Sequence, residues 1–393
     1  MSANEVVITS GTRTAMGGML GALSSMSATE LGSAAIAAAV ERGGISADDV
    51  DEVIMGCVLP AGLRQGPARQ AAIGAGVPVS TGCTTINKLC GSGMQAAIMA
   101  HDQILAGTCK VMIAGGMESM SNAPHLMLKG RTGIRLGHGE LKDHMFLDGL
   151  EDAYTGGAMG SFAQQTADEN GITREAMDAF AIESLRRANA AMENGYLKEE
   201  IVPVNARKGR ETVVVDSDEQ PLTARPDKIP SLRPAFAKDG TITAANSSSI
   251  SDGASALLLM SAEEAASRNI QPLARIVAHS RHSQEPNLFT TAPIGAISKL
   301  MDKTGWSADD VDLFEINEAF AMVTMLAIRD LGLDAGKVNV HGGACAQGHP
   351  IGSSGSRIIV TLIHALKQHG GKRGIAGLCI GGGEATAIGI ELL

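Results

Sequence analysis

The sequence predicts an α/β protein built from two similar halves with a different segment between them. Three observations point to this fold class. Short apolar segments typical of strands alternate with amphipathic segments typical of helices, which is the pattern of a sheet covered by helices. The hexapeptide Ser-Ala-Asp-Asp-Val-Asp occurs at 46–51 and again at 307–312. Glycine supplies 48 of 393 residues against a usual fraction of ~7%, and aromatic residues supply only 3%, which indicates close packing of small apolar side chains.

Further parallels between the halves support an internal duplication. Gly-Ser-Gly at 91–93 opens a helical pattern, as does Ser-Ser-Gly at 353–355. Each helical pattern is followed by an apolar strand that ends in glycines and a glutamate, at 111–118 and at 378–384. Self-similarity at a nearly constant offset of about 262 residues is typical of a duplicated unit.

The segment 118–247 differs in character from both halves. It contains a Gly/Met-rich stretch with three histidines, a charged helical pattern around 173–194, and five prolines between 203 and 234. A stretch of ~130 residues is too long for a loop inside a compact domain, so we predict an inserted loop domain. The N-terminal half then comprises 1–117 plus about 248–270, and the C-terminal half comprises 271–393.

Two helix starts carry the pattern of a capping box, in which a serine and a glutamate three residues later accept each other's backbone N–H groups. These pairs are Ser27 with Glu30 and Ser261 with Glu264. We therefore predict helices that begin directly after Ser27 and Ser261.

Charge and hydropathy disfavour several kinds of partner. The chain has 32 basic and 42 acidic residues, a net charge of −10, and no Lys/Arg run longer than a pair, so no nucleic acid is expected. No apolar run approaches ~18 residues, so no membrane span is expected. The first residues, Met-Ser-Ala-Asn-Glu-Val-Val-Ile-Thr, lack the pattern of a targeting signal, which makes the cytoplasm the expected compartment.

The six cysteines are sparse, and one of them stands in a reactive setting. They form no Cys-x-x-Cys pair, so neither a zinc site nor a disulfide framework is expected, and most should be inert core residues. Cys90 follows a strand-like segment and precedes Gly-Ser-Gly at the start of a helical pattern. The helix N-terminus would favour its thiolate, which makes Cys90 a candidate nucleophile. The alternative is a small buried residue at a tight turn.

A second glycine-rich segment, 341–352, contains a candidate base for Cys90. His349 stands between glycine and proline in a turn before a helical pattern, and imidazole titrates near neutrality. A phosphate-binding loop is an alternative, but the segment has neither of the glycine signatures of nucleotide-binding loops. His341, beside a strand pattern in the same segment, is expected to be structural.

Two more strand ends carry polar or reactive groups. Cys379 ends a strand and is followed by three glycines, whose N–H groups could form an oxyanion site. Asn317 leaves a strand and could orient a water or a carbonyl group, with a helix N-cap as the alternative. Doubly wound sheets bind ligands at strand ends, so these segments together predict an active site.

These segments, in this order, make the chain resemble the thiolase family, the acetyl-CoA acetyltransferases. The resemblance covers essentially the whole chain. Its motifs are Ser10-Gly11-x-Arg13-Thr14-Ala15, Asn87-x-x-Cys90-Gly91-Ser92-Gly93, Gly115-Gly116-Met117-Glu118-Ser119-Met120, Leu232-Arg233-Pro234-Ala235-Phe236, Asn317-Glu318-Ala319-Phe320, Gly342-Gly343-Ala344-x-x-x-Gly348-His349-Pro350-Ile351-Gly352 and Cys379-Ile380-Gly381-Gly382-Gly383. The resemblance implies two α/β halves in α-β-α-β-α layers, an inserted loop domain for CoA binding and tetramerisation, and a homotetramer that is a dimer of dimers.

The resemblance also implies ping-pong Claisen condensation of two acetyl-CoA to acetoacetyl-CoA and CoA, and the reverse thiolysis of short-chain 3-ketoacyl-CoA. Cys90 would carry the acetyl group, His349 would take its proton, and Cys379 would deprotonate the α-carbon of the second acetyl-CoA. His349 and a water held by Asn317 would stabilise the enolate oxygen. The N–H groups of Cys90 and Gly381 would bind the tetrahedral oxyanion. The CoA thioesters are substrates, and neither a cofactor nor a metal is implied.

For the CoA site, the resemblance implies contact between the pantetheine and Ser248. Around it would lie the further substrate-binding residues Met159, Phe236, Ala244, Ala319 and Phe320. Two departures from the family pattern bear on CoA affinity and acyl-chain preference. Ala158 stands where many members have a histidine, and an arginine expected after Asp218-Glu219 is missing, with Arg225 and Lys228 as candidate substitutes.

Two other functions compete with this expectation. A condensing enzyme acting on carrier-protein thioesters shares the two halves and the cysteine, but it pairs that cysteine with two histidines or with a histidine and an asparagine. Cys379 argues against that class. A lipid carrier that binds acyl-CoA without turnover would have lost at least one of Cys90, His349 and Cys379, and all three are present.

Overall fold

The computed structural model describes residues 5–393. Residues 1–4 lie outside the described part, and they begin the segment in which no targeting signal was expected. The strands, in chain order, are β1 (Val6–Thr14), β2 (Gly17–Gly18), β3 (Glu52–Gly56), β4 (Gly82–Ile86), β5 (Val111–Ser119), β6 (His125–Leu126), β7 (Lys142–Asp143), β8 (Ile201–Val202), β9 (Val204–Lys208), β10 (Glu211–Val215), β11 (Ser251–Ser261), β12 (Ala274–Ser283), β13 (Leu313–Ile316), β14 (Arg373–Ile380) and β15 (Glu384–Leu392).

The α-helices are α1 (Ala28–Gly43), α2 (Pro67–Gly74), α3 (Ser92–Leu105), α4 (Met159–Glu169), α5 (Arg174–Glu193), α6 (Glu219–Thr223), α7 (Ala262–Ser267), α8 (Ala292–Thr304), α9 (Ala321–Leu331), α10 (Ala344–Gln347) and α11 (Ile351–His369). Short 3₁₀ turns occupy 47–49, 120–122, 196–199, 226–231, 286–291, 308–310 and 335–337, and a π turn occupies 146–150. Among residues 5–393, no helix is both long and apolar enough to cross a membrane.

The two halves contain the same arrangement of strands. The order is β4-β3-β5-β11-β1 in the N-terminal half and β13-β14-β15-β12 in the C-terminal half. The parallel pair β3–β5 corresponds to β13–β14, and the antiparallel run β5–β11–β1 corresponds to β14–β15–β12. The counterpart of β4 is a single parallel bridge between Phe314 and Val338. The sheet therefore confirms the predicted duplication.

Each copy of the repeated hexapeptide has the same structural role. Its serine begins a 3₁₀ turn, and the aspartate three residues later accepts the serine N–H in both copies. The final aspartate accepts two backbone N–H groups where the neighbouring strand begins. Asp51 does so at 2.7 and 3.0 Å at the start of β5, and Asp312 does so at 2.7 and 2.8 Å at the start of β14. The repeat therefore fixes the parallel strand pair of each half.

Helices cover and separate the two groups of strands in five layers. Helices α1 and α2 pack on the outer face of the N-terminal strands, α3 and α11 pack on each other in the centre, and α8 and α9 pack on the C-terminal strands. Strand β1 pairs with β12 only at Val7–Arg275 and Ile8–Ala274, which joins the two groups of strands. This is the expected α-β-α-β-α arrangement.

Main-chain atoms of the two halves touch where β5 meets the start of α11. A Cβ on Gly116 would lie 1.9 Å from the carbonyl oxygen of Gly352, so only glycine fits there. The carboxylate of Glu118, at the end of β5, accepts the N–H groups of Gly352, Val58 and Leu59 at 3.0, 3.0 and 3.1 Å. These contacts fix the start of α11 against the N-terminal half.

The segment between β5 and β11 contains the two-stranded pairs β6–β7 and β9–β10 together with α4, α5 and α6, and it adds β8 to the sheet beside β1. The charged helix expected around 173–194 is α5, which follows an N-cap at Thr173. The fully buried Arg13 of β1 binds this segment through Asp218 at 2.7 and 2.9 Å and through Glu200 at 2.6 Å. The domain boundaries at 117, 247 and 271 stay predictions.

The two predicted capping boxes differ in outcome. Ser27 Oγ accepts the Glu30 N–H at 3.3 Å and the Glu30 carboxylate accepts the Ser27 N–H at 2.8 Å, so this box is confirmed. Ser261 Oγ accepts the Glu264 N–H at 3.0 Å, and α7 begins after it as expected. The predicted hydrogen bond from the Ser261 N–H to the Glu264 carboxylate is wrong, because this carboxylate instead accepts from Arg268 at 2.7 Å.

Candidate active site

A cavity of about 470 Å³ lies where both halves meet the segment between β5 and β11. Its size suits a small-molecule ligand. The site residues proposed from the sequence that line it are Cys90, His349, Cys379, Gly381, Ser248, Met159, Phe236, Ala244, Ala319 and Phe320. The fold therefore brings together segments that are far apart in the sequence, and only Asn317 of the proposed set is not on the wall.

Cys90 is held in a tight turn directly before α3. Leu89 has a φ of 47°, which is sterically unfavourable for a residue with a branched side chain. The Ser92 hydroxyl fixes the turn, because it donates to the Leu89 carbonyl at 2.7 Å and accepts the Lys88 N–H at 2.8 Å. Backbone strain of this kind persists only where the surroundings impose it, and here it sets the position of a half-buried thiol on the cavity wall.

The thiol of Cys90 is protonated at neutral pH. Burial raises the pKa of Cys90 to about 11, although hydrogen bonds from the N–H of Gly381 and from its own N–H lower it. The N–H groups at this turn favour the thiolate as expected, but desolvation of the charged form outweighs them, so the thiolate is not the resting state. Cys90 therefore needs a base at the moment of attack.

His349 presents an unprotonated nitrogen whose position is set by Ser354. The Nδ1 of His349 lies 2.6 Å from Ser354 Oγ, which lies 2.9 Å from the carbonyl oxygen of Pro350. A carbonyl only accepts and a hydroxyl has one proton, so Ser354 donates to Pro350 and His349 Nδ1–H donates to Ser354. Nε2 is then the basic nitrogen, buried and without a hydrogen-bond partner among the described residues. Burial, followed by Arg357, lowers the pKa of His349 to about 3, which keeps the imidazole neutral.

Cys379 is the last residue but one of β14, and its thiol is buried against Ala319 and Phe320. Burial, followed by the nearby Cys90, raises the pKa of Cys379 well above its usual range. The next turn brings the N–H of Gly381 to the sulfur of Cys90. Two thiols, a neutral imidazole and a backbone donor therefore meet at one end of the cavity.

Asn317 is buried and is not among the residues that line the cavity. Its N–H donates to the Gly377 carbonyl at 3.0 Å, and its Oδ1 lies 3.5 Å from Arg357 Nη2. Its Nδ2 is buried and has no partner within residues 5–393. The alternative role of Asn317 as a helix N-cap is wrong, because the residue that precedes α9 is Phe320. Asn317 therefore keeps one donor for a further hydrogen bond.

Four of the chain's seven phenylalanines line the cavity: Phe146, Phe236, Phe289 and Phe320. Phe320 packs edge-to-face against Phe236 and Phe289, with ring centroids 6.3 and 6.4 Å apart. Phe236 lies over Gly160, where a Cβ would come within 2.2 Å of the ring. Aromatic side chains, scarce in the core, are concentrated here and form a wall suited to an extended, largely apolar ligand.

The polar side of the cavity is formed by the serines at 247–249. The N–H of Ser248 donates to the Ala319 carbonyl at 2.9 Å, which fixes this loop to the C-terminal half. In the described chain no lysine or arginine lines the cavity. Arg225 and Lys228, the candidate substitutes for a missing arginine, are exposed and lie off the wall, whereas Gln220 lines it.

Sequence reasoning missed Ser354 and several lining residues, among them Phe146 and Phe289, and it placed one residue correctly outside the site. Ser354 stands five residues after His349, in the first turn of α11, and this spacing is the signal that could have revealed it. Phe289 comes from the 3₁₀ turn at 286–291 and carries no motif. His341, expected to be structural, is buried 3.2 Å from His369 and is not among the lining residues, and burial lowers the pKa of His341 to about 4.

Comparisons with known proteins identify the family. Models of the thiolase N-terminal and C-terminal domains match residues 6–263 and 270–392. The chain is 48% identical over 389 residues to an acetyl-CoA acetyltransferase of Schizosaccharomyces pombe and 47% identical over 387 residues to one of Pseudomonas aeruginosa, in each case over 98% of both chains. Two solved structures are 42% identical: a thiolase from Ascaris suum in complex with coenzyme A, with a TM-score of 0.94 over 99% of this chain and 100% of that one, and the acetyl-CoA acetyltransferase of Bacillus anthracis, with a TM-score of 0.96 over 99% of both. The chain therefore belongs to the thiolase family.

Proposed function

We propose that the protein is an acetyl-CoA C-acetyltransferase. It condenses two acetyl-CoA molecules to acetoacetyl-CoA and CoA, and it catalyses the reverse thiolysis of short-chain 3-ketoacyl-CoA. The observation that carries the proposal is a cavity wall that combines the thiols of Cys90 and Cys379 with the basic Nε2 of His349. The names of the relatives from yeast and Pseudomonas support the same activity.

In the first half-reaction, Cys90 Sγ attacks the carbonyl carbon of acetyl-CoA while His349 Nε2 takes the thiol proton. The N–H groups of Cys90 and Gly381 bind the oxyanion, and losing such a donor typically costs ~3–4 kcal/mol of transition-state stabilisation. The departing CoA thiolate takes the proton of Cys379. The products are acetyl-Cys90, the imidazolium of His349 and the thiolate of Cys379.

In the second half-reaction, the Cys379 thiolate removes a proton from the α-carbon of another acetyl-CoA. Burial, which holds the pKa of Cys379 well above its usual range, makes this thiolate a stronger base than an ordinary one. His349 and a water held by Asn317 Nδ2 stabilise the enolate oxygen. The enolate attacks the acetyl carbon, and the Cys90 thiolate leaves and recovers its proton from His349, which restores the starting state.

Substrate binding follows from the walls of the cavity. The pantetheine lies along Ser248, between the phenylalanines and the small side chains of Ala244 and Ala319. Met159 completes this wall beside Gly381, where a Cβ would lie 3.6 Å from its sulfur. Because Ala158 replaces a polar contact and no arginine follows Asp218-Glu219, the acyl and pantetheine portions contribute most of the CoA affinity.

For assembly and location, the proposal is a homotetramer, a dimer of dimers, that works in the cytoplasm in fatty acid metabolism. The segment that begins at β6 and ends at β7 exposes large apolar side chains, which supports burial against another copy. These are Met127, Leu128, Ile134, Leu136 and Leu141. Free thiols at the reacting centre support a reducing compartment.

The test is the intact mass of the protein after mixing with acetyl-CoA. Native protein should gain one acetyl group and Cys90→Ser should gain none, because the thioester bond forms on that sulfur. Cys379→Ser should still acetylate but make no acetoacetyl-CoA, because it lacks the base. Cys109→Ser, at a thiol outside the cavity, is the matched control and should behave like the native protein. No adduct on the native protein would overturn the covalent mechanism, and normal condensation by Cys379→Ser would overturn the base.

A further inference from the structure

Away from the active-site cavity, three groups capable of binding a metal converge near the C-terminal end of α3. They are the Nδ1 of His101, a carboxylate oxygen of Asp102 and the Nε2 of His279, and they lie within 4.8 Å of one another. The Oδ1 of Asp102 lies 3.0 Å from the His101 nitrogen and 2.9 Å from the His279 nitrogen. None of the three residues lines the active-site cavity, so acyl transfer does not account for the cluster.

The three residues stand on rigid elements from different halves of the chain. His101 and Asp102 belong to α3, while His279 lies within β12, where it pairs with Ile388 of β15. The two imidazole rings are edge-to-face, with centroids 5.2 Å apart and an interplanar angle of 85°, so their nitrogens converge on one carboxylate oxygen. The imidazole of His101 is buried, whereas the side chain of Asp102 is 50% exposed, which leaves one side of the cluster open to water.

The charge state of the cluster suits a cation. A metal ion binds imidazole in its neutral form and a carboxylate in its ionised form, so the three groups can supply two neutral ligands and one anionic ligand. Lys303 donates to the His279 carbonyl oxygen at 2.9 Å, so this ammonium contacts the main chain and not the ring.

We propose that His101, Asp102 and His279 bind a divalent transition-metal ion of the zinc class, with water completing the coordination. In a tetrahedral site with metal–ligand distances of about 2.1 Å, neighbouring donor atoms lie about 3.4 Å apart. The distances from Asp102 Oδ1 to His101 Nδ1 and to His279 Nε2 therefore need to increase by about 0.5 Å. Small side-chain rotations can supply this change. Each neutral imidazole turns a lone pair to the ion and carries its proton on the other ring nitrogen.

The sequence alone did not reveal this site. The cysteine pattern argued against zinc, and 177 positions separate Asp102 from His279. An ion held there ties α3 of the N-terminal half to β12 of the C-terminal half. Because the site lies outside the cavity, its expected effect is greater resistance to unfolding.

The test uses the full chain and Co²⁺, which prefers ligands similar to those of Zn²⁺ and reports thiolate ligands by a charge-transfer band. Without any CoA compound present, calorimetric titration should show one bound Co²⁺, the absorption spectrum should show no thiolate band, and the thermal midpoint should rise. His279→Ala and Asp102→Asn should each weaken binding at least about tenfold and remove the rise in midpoint, because the first removes a ligand and the second replaces an anionic ligand by a neutral, weaker one. His138→Ala, at an exposed histidine outside the cluster, should bind like the native protein.

Three results would overturn the proposal: no Co²⁺ binding by the native protein, native affinity in both ligand variants, or a thiolate band in the bound state. Asp102→Asn changes a half-exposed side chain without changing its size, so it remains informative if His279→Ala fails to fold. Since no acyl-CoA enters the experiment, its outcome is independent of the test for acetyl transfer.

Discussion

Ser354→Ala should slow acetylation of Cys90 without weakening substrate binding. The Ser354 hydroxyl accepts the Nδ1–H of His349 at 2.6 Å and does not line the cavity. Without it, the buried Nδ1–H has no acceptor, which costs about 1–3 kcal/mol, and the imidazole is free to carry its proton on Nε2. At ~1.4 kcal/mol per tenfold, the acetylation rate should fall by a factor of about 5 to 150.

The assay is rapid quenching followed by intact mass measurement at several acetyl-CoA concentrations. The rate at saturation should fall, while the concentration giving half that rate should change by less than about twofold, since Ser354 acts through His349. Ser354→Thr keeps the hydroxyl and should recover most of the rate. Ser33→Ala is the matched control, because Ser33 makes the same kind of bond to a carbonyl four residues earlier, at 2.9 Å in the outer helix α1. A native acetylation rate in Ser354→Ala would refute Nε2 of His349 as the base.

Three further predictions concern the cavity, a buried carboxyl and the repeat. Gly160→Leu should raise the KM for acyl-CoA in steady-state thiolysis more than it lowers kcat, because a side chain there meets the ring of Phe236. Burial raises the pKa of Glu315 to about 8, so its stabilisation is present below the unfolded pKa of about 4.3 and is lost as pH rises through 8. The thermal midpoint should therefore fall less between pH 5 and pH 9 in Glu315→Gln than in the native protein. Asp51→Ala and Asp312→Ala should each lower the free energy of unfolding by about 1–3 kcal/mol in denaturant titrations, because each leaves two strand N–H groups without an acceptor.

Each of these has a control or a contrary outcome. An unchanged KM in Gly160→Leu would show that the ligand does not bind against Phe236. An identical alkaline loss in Glu315→Gln would mean that this carboxyl is ionised in the folded protein at neutral pH. Asp48→Ala, at an exposed aspartate of the same hexapeptide, should change stability by less than about 0.5 kcal/mol. Equal losses at Asp48 and Asp51 would show that the paired hydrogen bonds do not stabilise the strands.

The duplicated fold could be predicted from the sequence because short local motifs mark it in both halves. The aspartates that end the two hexapeptides bind strand starts in their own half, so both copies kept the same residues at the same offset. The sequence did not predict that the C-terminal counterpart of β4 is only a single bridge, because the length of an edge strand depends on its contacts with neighbouring strands. The failed half of the second capping box has a similar cause, because Arg268 competes for the Glu264 carboxylate.

The site residues were found by motif, but their physical state was not. The start of α3 suggested a thiolate at Cys90, whereas the surrounding fold desolvates the thiol and raises its pKa. Desolvation is a property of the assembled cavity and cannot be inferred from the seven-residue motif at 87–93. The support of His349 by Ser354 and the meeting of His101 with His279 likewise depend on side-chain direction and on contacts between halves.

The contact of Gly116 with the Gly352 carbonyl has a consequence for how the molecule moves. The main chain of one half touches the main chain of the other here, so no side chain lies between them that could change rotamer as the halves slide or bend. Glu118 adds one hydrogen bond across the same junction, from the N–H of Gly352, and is itself held by the N–H groups of Val58 and Leu59 in its own half. Sliding of one half over the other is therefore opposed at this junction. Movement that admits an acyl-CoA to the cavity is then expected in wall segments away from this junction, such as the turn at 146–150.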